Sequence, residues 1–388
     1  MLTYLSFASR IRLSNRQVGF APVFLRHSVG LVCCLSWLAV ACQGGTPAVD
    51  EGDLPKPVSE FEGFVQPSWS FDGSVFTGIL SKERALYELS SEGDTPTLLL
   101  EDVASGEWLA SQLIYAYALE LDPEKAWEEG LLNYATGGKT VLSGIENSGG
   151  LAWSPDGKQL VTTVISASQA GTEILVMDLD GNETFYSDGL PGDHKGNPTW
   201  SPDGKTIYFI SSTPQGEYWD PEPVTALHVD ENFESEVVEE GSGNSWSARI
   251  SATFDGWFYV YFSGRESSNK GVCARSLDGA KPACITSGEG TSISAAWSPT
   301  ERILAAASSG LDHQLILFDP QSERRVVIYE NIREACGDYC DDQEPSAPTV
   351  GDPAWSADGR QLAYTVSEND KLSIHVIDVQ PYLNMLAE

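Results

Sequence analysis

The feature that most constrains this chain is a short segment that recurs in register. Four copies are nearly the same: LAWSPDGKQLVTT from Leu151, PTWSPDGKTIYFI from Pro198, PAWSADGRQLAYT from Pro353 and PSWSFDGSVFTGI from Pro67. A fifth, AAWSPTERILAAA from Ala295, keeps Trp-Ser-Pro, and a sixth, ISATFDGWFYVYF from Ile250, keeps Asp255-Gly256. GEWLASQLIYAYALE from Gly106 is a degenerate copy around Trp108. The equivalent positions are then 69, 108, 153, 200, 252, 297 and 355, at intervals of 39 to 58 residues. Intervals of this size belong to repeat architectures in which each unit is one small sheet with its loops.

The motif has a physical logic. Ser-Pro-Asp-Gly suits a type I turn: Pro sets φ at the second position and Gly tolerates positive φ at the end. The Asp accepts backbone N–H groups inside the turn. The Trp before it offers apolar area to a neighbouring unit. An apolar strand follows each turn, then a third, as in EILVMDLDG, TALHVD, LILFDP and LSIHVIDV, and a fourth, as in ETFYS, SEVVEE, PACIT and RRVVIYE. The 36 Gly, 21 Pro and 11 Trp of the 388 residues fit many short strands rather than helices. The expected fold is all-β: a seven-bladed β-propeller of four-stranded antiparallel blades over residues 61–388.

The pattern P-x-W-S-P-D-G-K-x-I-x-F, with a short strand ending in Asp after it, resembles the TolB-type propeller repeat, a WD-repeat-like motif. The resemblance covers about residues 61–388 and implies the fold. It implies no single function, because this fold hosts many roles. The separate amino-terminal domain of TolB has no counterpart in the short segment before residue 61, so a Tol–Pal role is not implied.

Residues 1–41 read as an export signal. They hold Arg10, Arg12, Arg16 and Arg26 and no acid, followed by the apolar run VGLVCCLSWLAV from Val29 to Val40. That run is short for a membrane span and suits a signal-peptide core. LAVAC, ending at Cys42, resembles the bacterial lipoprotein cleavage box, which implies lipidation of Cys42. Residues 42–60, rich in Gly, Pro and acids, read as a flexible tether. The resemblance places the protein in the bacterial cell envelope, held by its lipid anchor at the periplasmic or outer-membrane face. Net charge is −33, and past residue 41 there are 19 basic against 56 acidic side chains. Such a body repels nucleic acid and anionic head groups.

Catalytic motifs do not stand out. Asp72, Asp156, Asp203, Asp255 and Asp358 recur once per repeat and read as turn residues. His228 and His375 lie in alternating strands, and His194 and His313 lie in loops. No Gly-x-Ser-x-Gly elbow or phosphate-binding glycine loop is present. No cofactor and no metal site are expected: CGDYCDDQE from Cys336 clusters oxygens but lacks the spacing of a calcium loop and reads as a solvated acidic loop.

The cysteines pair by position. In GVCARSLDGAKPACITS, Cys273 and Cys284 are equidistant from the Asp278–Gly279 midpoint. A four-residue loop, Leu277 to Ala280, sets them opposite each other at a non-hydrogen-bonded pair, about 4.5 Å apart at Cα and within disulfide range. Cys336 and Cys340 would form a second, local bridge.

Loops joining strands one to two and three to four leave one end of a blade, and these are short. The other end carries the long ones: Leu121 to Gly130 with Trp127, Ser187 to Asn197 with His194, Ser212 to Pro223 with Tyr218 and Trp219, and Glu330 to Asp352. Aromatics in long loops on a rigid frame make a binding surface. The functional expectation is a monomeric, non-enzymatic scaffold that engages an envelope protein or glycan through Trp127, His194, Asn197, Tyr218, Trp219 and Asp352. The alternative is an enzyme of lyase or lactonase type, acting on a polysaccharide or lactone in the central channel. The channel lining discriminates the two: converging His and carboxylates for the enzyme, backbone amides and small residues for the scaffold.

Overall fold

The computed structural model describes residues 56–90, 95–109, 112–119, 128–142, 151–166, 171–187, 190, 194–201, 203–212, 214–215, 218–219, 224–239, 248–250, 258–263, 271–276, 283–286, 293–308, 314–330, 349–368 and 371–387. All of them belong to the second of two units, Asp50–Glu388.

Each repeat is closed locally by its turn. In the copy at Ser154, the Ser hydroxyl donates to Asp156 Oδ1 at 2.8 Å and accepts from the Gln159 amide at 2.9 Å. The amide of Lys158 donates to Asp156 Oδ1 at 3.1 Å, and the Gly157 amide donates to the Ser154 carbonyl at 2.8 Å. Ser70, Ser201 and Ser356 repeat the pattern with Asp72, Asp203 and Asp358. Gly157 holds φ at +67°, a left-handed conformation that costs glycine nothing. The aspartates are turn-builders, as expected from their spacing. Each carboxyl is held below the usual range by the bonds it accepts: first from the Ser74 side chain for Asp72, from Lys158 for Asp156, from Ser201 for Asp203 and from Ser356 for Asp358.

The strands form antiparallel four-stranded meanders in chain order. The first sheet comprises Phe64–Trp69, Phe76–Leu80, Ala85–Leu89 and Thr97–Leu100, and the second Val103–Trp108, Ile114–Leu119, Glu128–Asn133 and Gly138–Leu142. The third meander is Leu151–Trp153, Gln159–Ile165, Thr172–Asp178 and Glu183–Tyr186. The fourth is His194–Trp200, Thr206–Ser212, Val224–His228 and Glu234–Glu239. One parallel pair, Thr172 with His194, joins these two into a single eight-stranded sheet. The fifth comprises Ala248–Ile250, Phe258–Ser263, Gly271–Ser276 and Ala283–Thr286, and the sixth Ile293–Trp297, Leu304–Ser308, Gln314–Asp319 and Arg324–Glu330.

The last sheet differs. Thr349–Trp355, Gln361–Glu368 and Lys371–Asp378 supply three strands, and the fourth is Ser59–Glu62 from the other end of the sequence, with Glu60 opposite His375. The segment expected to be tether through residue 60 therefore enters the fold at Ser59. Where other repeats have a fourth strand, the chain forms the helix Gln380–Ala387, which buries Tyr382 and Leu386 against Ile303, Trp355 and Val379.

Sheets stack face to face. Val75, Ile79 and Leu86 of the first meet Trp108 and Tyr115 of the second. Leu131 and Leu142 of the second meet Trp153 and Leu160 of the third. Phe64, Phe76 and Leu89 of the first meet Ala363, Ile374 and Val376 of the last. The repeat tryptophans sit in these seams, as the sequence predicts. Trp108 Nε1 donates to Thr77 Oγ1 of the preceding sheet at 3.1 Å, and Trp355 Nε1 donates to the Ala296 carbonyl at 3.0 Å.

Candidate functional site

Among the described residues the first strand of each meander pairs on one side only, except His194–Trp200, which lies between Thr172–Asp178 and Thr206–Ser212. The position just before the repeat tryptophan is held by Ser68, Ala152, Thr199, Ala296 and Ala354, all small and half-buried. In the second sheet it is held by Glu107, which is exposed. Protein packed around this group pushes its carboxyl up to about 7, although its side chain still meets solvent. Tyr115, the residue before Glu107's cross-strand partner Ala116 and itself opposite Trp108, is fully buried and its hydroxyl has no hydrogen-bond partner among the described residues. Burial, and then the charge of Glu107, hold that phenol far above its ordinary range.

Three first strands carry the same bulge. Gln66, Asn197 and Asp352 have φ of 52°, 49° and 49°, each precedes a proline, and the ladder slips beside each one. The Asp352 amide donates to Ser294 Oγ of the sixth sheet at 2.9 Å. Asn197 and Asp352, expected as binding-face residues, therefore shape the first strands, Asp352 exposed and Asn197 half-buried.

His194 was expected in a loop; it begins a strand instead, opposite Ser212 and beside Thr172. Its neighbour explains why. Lys195 is 1% exposed and its Nζ lies 2.8 Å from Glu173 Oε2, a carboxylate whose side chain is 11% exposed. Ser187 Oγ donates to the same oxygen. Thr172 Oγ1 donates to the Lys195 carbonyl at 2.7 Å, and the Lys195 amide donates to Thr172 Oγ1 at 2.9 Å. Burying an ammonium and a carboxylate together costs far less than burying either without its partner. The network clamps the third meander to the fourth.

On the other side of His194's partner Ser212, the expected loop contains a small hairpin. Pro214 pairs with Trp219 and Gln215 with Tyr218. His194, Tyr218 and Trp219 thus belong to one end of the fourth meander. Asp352 belongs to the last sheet. Glu128 and Thr349 begin strands inside two of the other expected loops.

Cys273 stands directly opposite Cys284. Cys42, Trp127, His313, Cys336 and Cys340 lie outside the described residues. His228 and His375 lie in strands; His375 Nε2 is 3.7 Å from Glu60 Oε1 of the closing strand. Burial holds the His375 imidazole below its ordinary value, against the pull of Glu60 and Glu368. Among the described residues no three His, Cys, Asp or Glu side chains come together as a metal site, and no helix is long and apolar enough to cross a membrane.

No protein-family model matches the chain, and no curated protein matches it. Solved structures do. TolB from Acinetobacter baumannii is 18% identical, with 78% of this chain and 68% of that one covered and a TM-score of 0.50. Oligogalacturonate lyase from Vibrio parahaemolyticus is 13% identical over 84% of this chain and 93% of that one, with a TM-score of 0.54. A chain of the mitotic checkpoint complex is 14% identical over 89% and 99%, with a TM-score of 0.57. Identities this low speak for the fold alone: a β-propeller of the TolB type, as the repeat implies.

Proposed function

We propose that the chain is a seven-bladed propeller, closed by its own amino-terminal strand and carried to the cell envelope by a lipid on Cys42, where it serves as a monomeric scaffold for a protein or glycan. The observation that carries this reading is the small, half-buried residue before the repeat tryptophan in five of the repeats. Small side chains at Ser68, Ala152, Thr199, Ala296 and Ala354 leave backbone and hydroxyl groups as the main recognition elements. The rigid seam at Lys195 and Glu173 supports it further, because it holds the His194 end and the 214–219 hairpin on a fixed frame, and loops on a fixed frame bind well. The partner docks on the end carrying the long connections.

The test is affinity capture from solubilised envelopes with mass spectrometry, using wild type and a Tyr218→Ala/Trp219→Ala variant. The variant is expected to keep its thermal midpoint and lose the partner. Capture that survives there, but is lost on altering the Ser-Pro-Asp-Gly end, reverses the face. Cys42→Ser is expected to move the protein from the detergent phase to the aqueous phase; unchanged partitioning sinks the anchor.

A second reading is a lyase or lactonase-type enzyme acting on a polysaccharide or lactone in the channel. Glu107 favours it: an open carboxyl raised to about 7 suits proton transfer at neutral pH. The likeness to an oligogalacturonate lyase adds weight only at the level of fold. Incubation with oligogalacturonate, followed by the absorbance of unsaturated product, decides it, with Glu107→Gln as the control that must abolish any turnover.

A further inference from the structure

The hairpin formed by Gly271–Ser276 and Ala283–Thr286 sets Cys273 opposite Cys284. Its register is anchored by the next pair along. Ala274 and Ala283 are 1% and 6% exposed and share a core with Ile285, Trp297 and Leu304. A slip of one residue would carry that pair off the core and flip the whole strand. Directly opposed residues of antiparallel strands lie about 4.5 or 5.5 Å apart at Cα, according to the hydrogen-bonding alternation. Both values fall inside the roughly 4.4–6.8 Å that disulfides bridge.

The position of the pair along the chain matters as much as its geometry. Six of the seven repeats carry a tryptophan at the key position, and these side chains pack the seams between sheets. The repeat from Ile250 has Ala252 there. The cysteines stand in that same repeat, and they join its third strand to a fourth strand of only 4 residues.

We propose that Cys273 and Cys284 form a disulfide wherever the protein meets oxidising conditions, stapling the outer strand of the one sheet whose repeat lacks the tryptophan. Two thiols give up two protons and two electrons to make one S–S bond. The oxidant is another disulfide, that of oxidised glutathione or a thiol–disulfide oxidoreductase, which leaves as two thiols. Formation in the cell rests on the export reading, since exported proteins meet oxidising conditions and cytosolic ones do not. The pairing itself does not rest on it.

The experiment separates the two. The full chain, purified in detergent and reduced, is equilibrated with a glutathione redox buffer, alkylated and digested with trypsin without reduction. The peptide ending at Arg275 is expected to appear linked to the peptide containing Cys284, with both thiols protected from alkylation. Free Cys273 and Cys284, or links from either to Cys336 or Cys340, overturn the proposal. A Cys273→Ser/Cys284→Ser variant is expected to melt with reduced wild type and below oxidised wild type; coincidence of all three melting curves shows that the bond staples nothing. Acid-quenched alkylation of whole cells then tests export. Linkage in vitro with reduced thiols in cells supports the pairing and removes the export reading.

Discussion

The backbone amide of Gln66 donates to the hydroxyl of Thr365 at 3.2 Å, across 299 positions of sequence. Gln66 is a left-handed bulge residue on the first strand of the first sheet, and Thr365 lies on the second strand of the last. The same two sheets share the Phe64, Phe76 and Ile374 core, and Ser59–Glu62 runs into the last sheet just before the chain enters the first. The two ends of the fold are thus joined by hydrogen bond, by core and by strand exchange.

Thr365→Val keeps the shape and removes the acceptor. The Gln66 amide then loses its partner, and an unsatisfied buried donor costs about 1–3 kcal/mol. Because this bond is only part-buried, the lower half of that range is expected as a drop in the denaturation midpoint. An unchanged midpoint shows that water replaces the hydroxyl without loss.

Lys195 and Glu173 are coupled. Lys195→Met leaves a carboxylate buried beside Ser187, and Glu173→Gln takes the carboxylate from an ammonium that is 1% exposed. Breaking a buried pair from one side costs about 3–5 kcal/mol, whereas replacing both partners with apolar groups is often nearly neutral. The Lys195→Met/Glu173→Leu double variant is expected to recover most of the loss in a double-mutant cycle. Additive losses show that the two charges do not depend on each other.

Gly130→Ala tests the degenerate second sheet. A Cβ at 130 would fall 2.4 Å from both Cζ and the hydroxyl oxygen of Tyr117, its cross-strand partner. Tyr117 is buried in the seam between the first two sheets, so its ring has little room to move. A loss of about 1–3 kcal/mol, the usual cost of overpacking, is expected in urea unfolding. A Tyr117→Leu background is expected to relieve it. A penalty that persists in that background points to the backbone rather than the ring.

Acid should unfold the protein in two stages. His375 has a folded pKa below 6.5, so its contribution is full above 6.5 and is lost as pH falls through the depressed value. The turn aspartates are depressed too, so their contribution is full above 3.8 and fades below it, for Asp156 down to about 2. The aspartates are largely exposed and each contributes modestly. Midpoints measured from pH 8 to pH 2.5 are expected to show both stages, and His375→Gln to remove the upper one. Glu107, raised from 4.5 to about 7, adds stability as pH falls between those values, so the comparison is made in a Glu107→Gln background, where a single stage below pH 4 excludes the histidine from the pH response.

Much of the fold was legible because its signals are local. The turn at Ser154, Asp156 and Gly157 is a contract among residues within five positions of one another, and it reads the same at Ser70, Ser201 and Ser356. The register that sets Cys273 opposite Cys284 was legible for the same reason: the two positions are only eleven apart along the chain. Glu107 carried a signal that was passed over, an acid where the other copies have Ser, Ala or Thr. His194 was misread because PGDHKGNP is dense in loop formers, while what makes it a strand is Lys195 reaching a glutamate 22 residues earlier.

The sequence by itself determined the units: turn chemistry, strand alternation and the tryptophan that seeks a neighbour, all set by contacts within one repeat. The tertiary structure alone decided how the units end. Ser-Glu-Phe-Glu at 59–62 has no motif and too few residues to announce a partner, and its place beside Ser373–Val376 follows from the unpaired edge that the last repeat leaves open. An open edge is a row of unpaired backbone donors and acceptors, and whichever strand the stacked sheets bring within reach will close it.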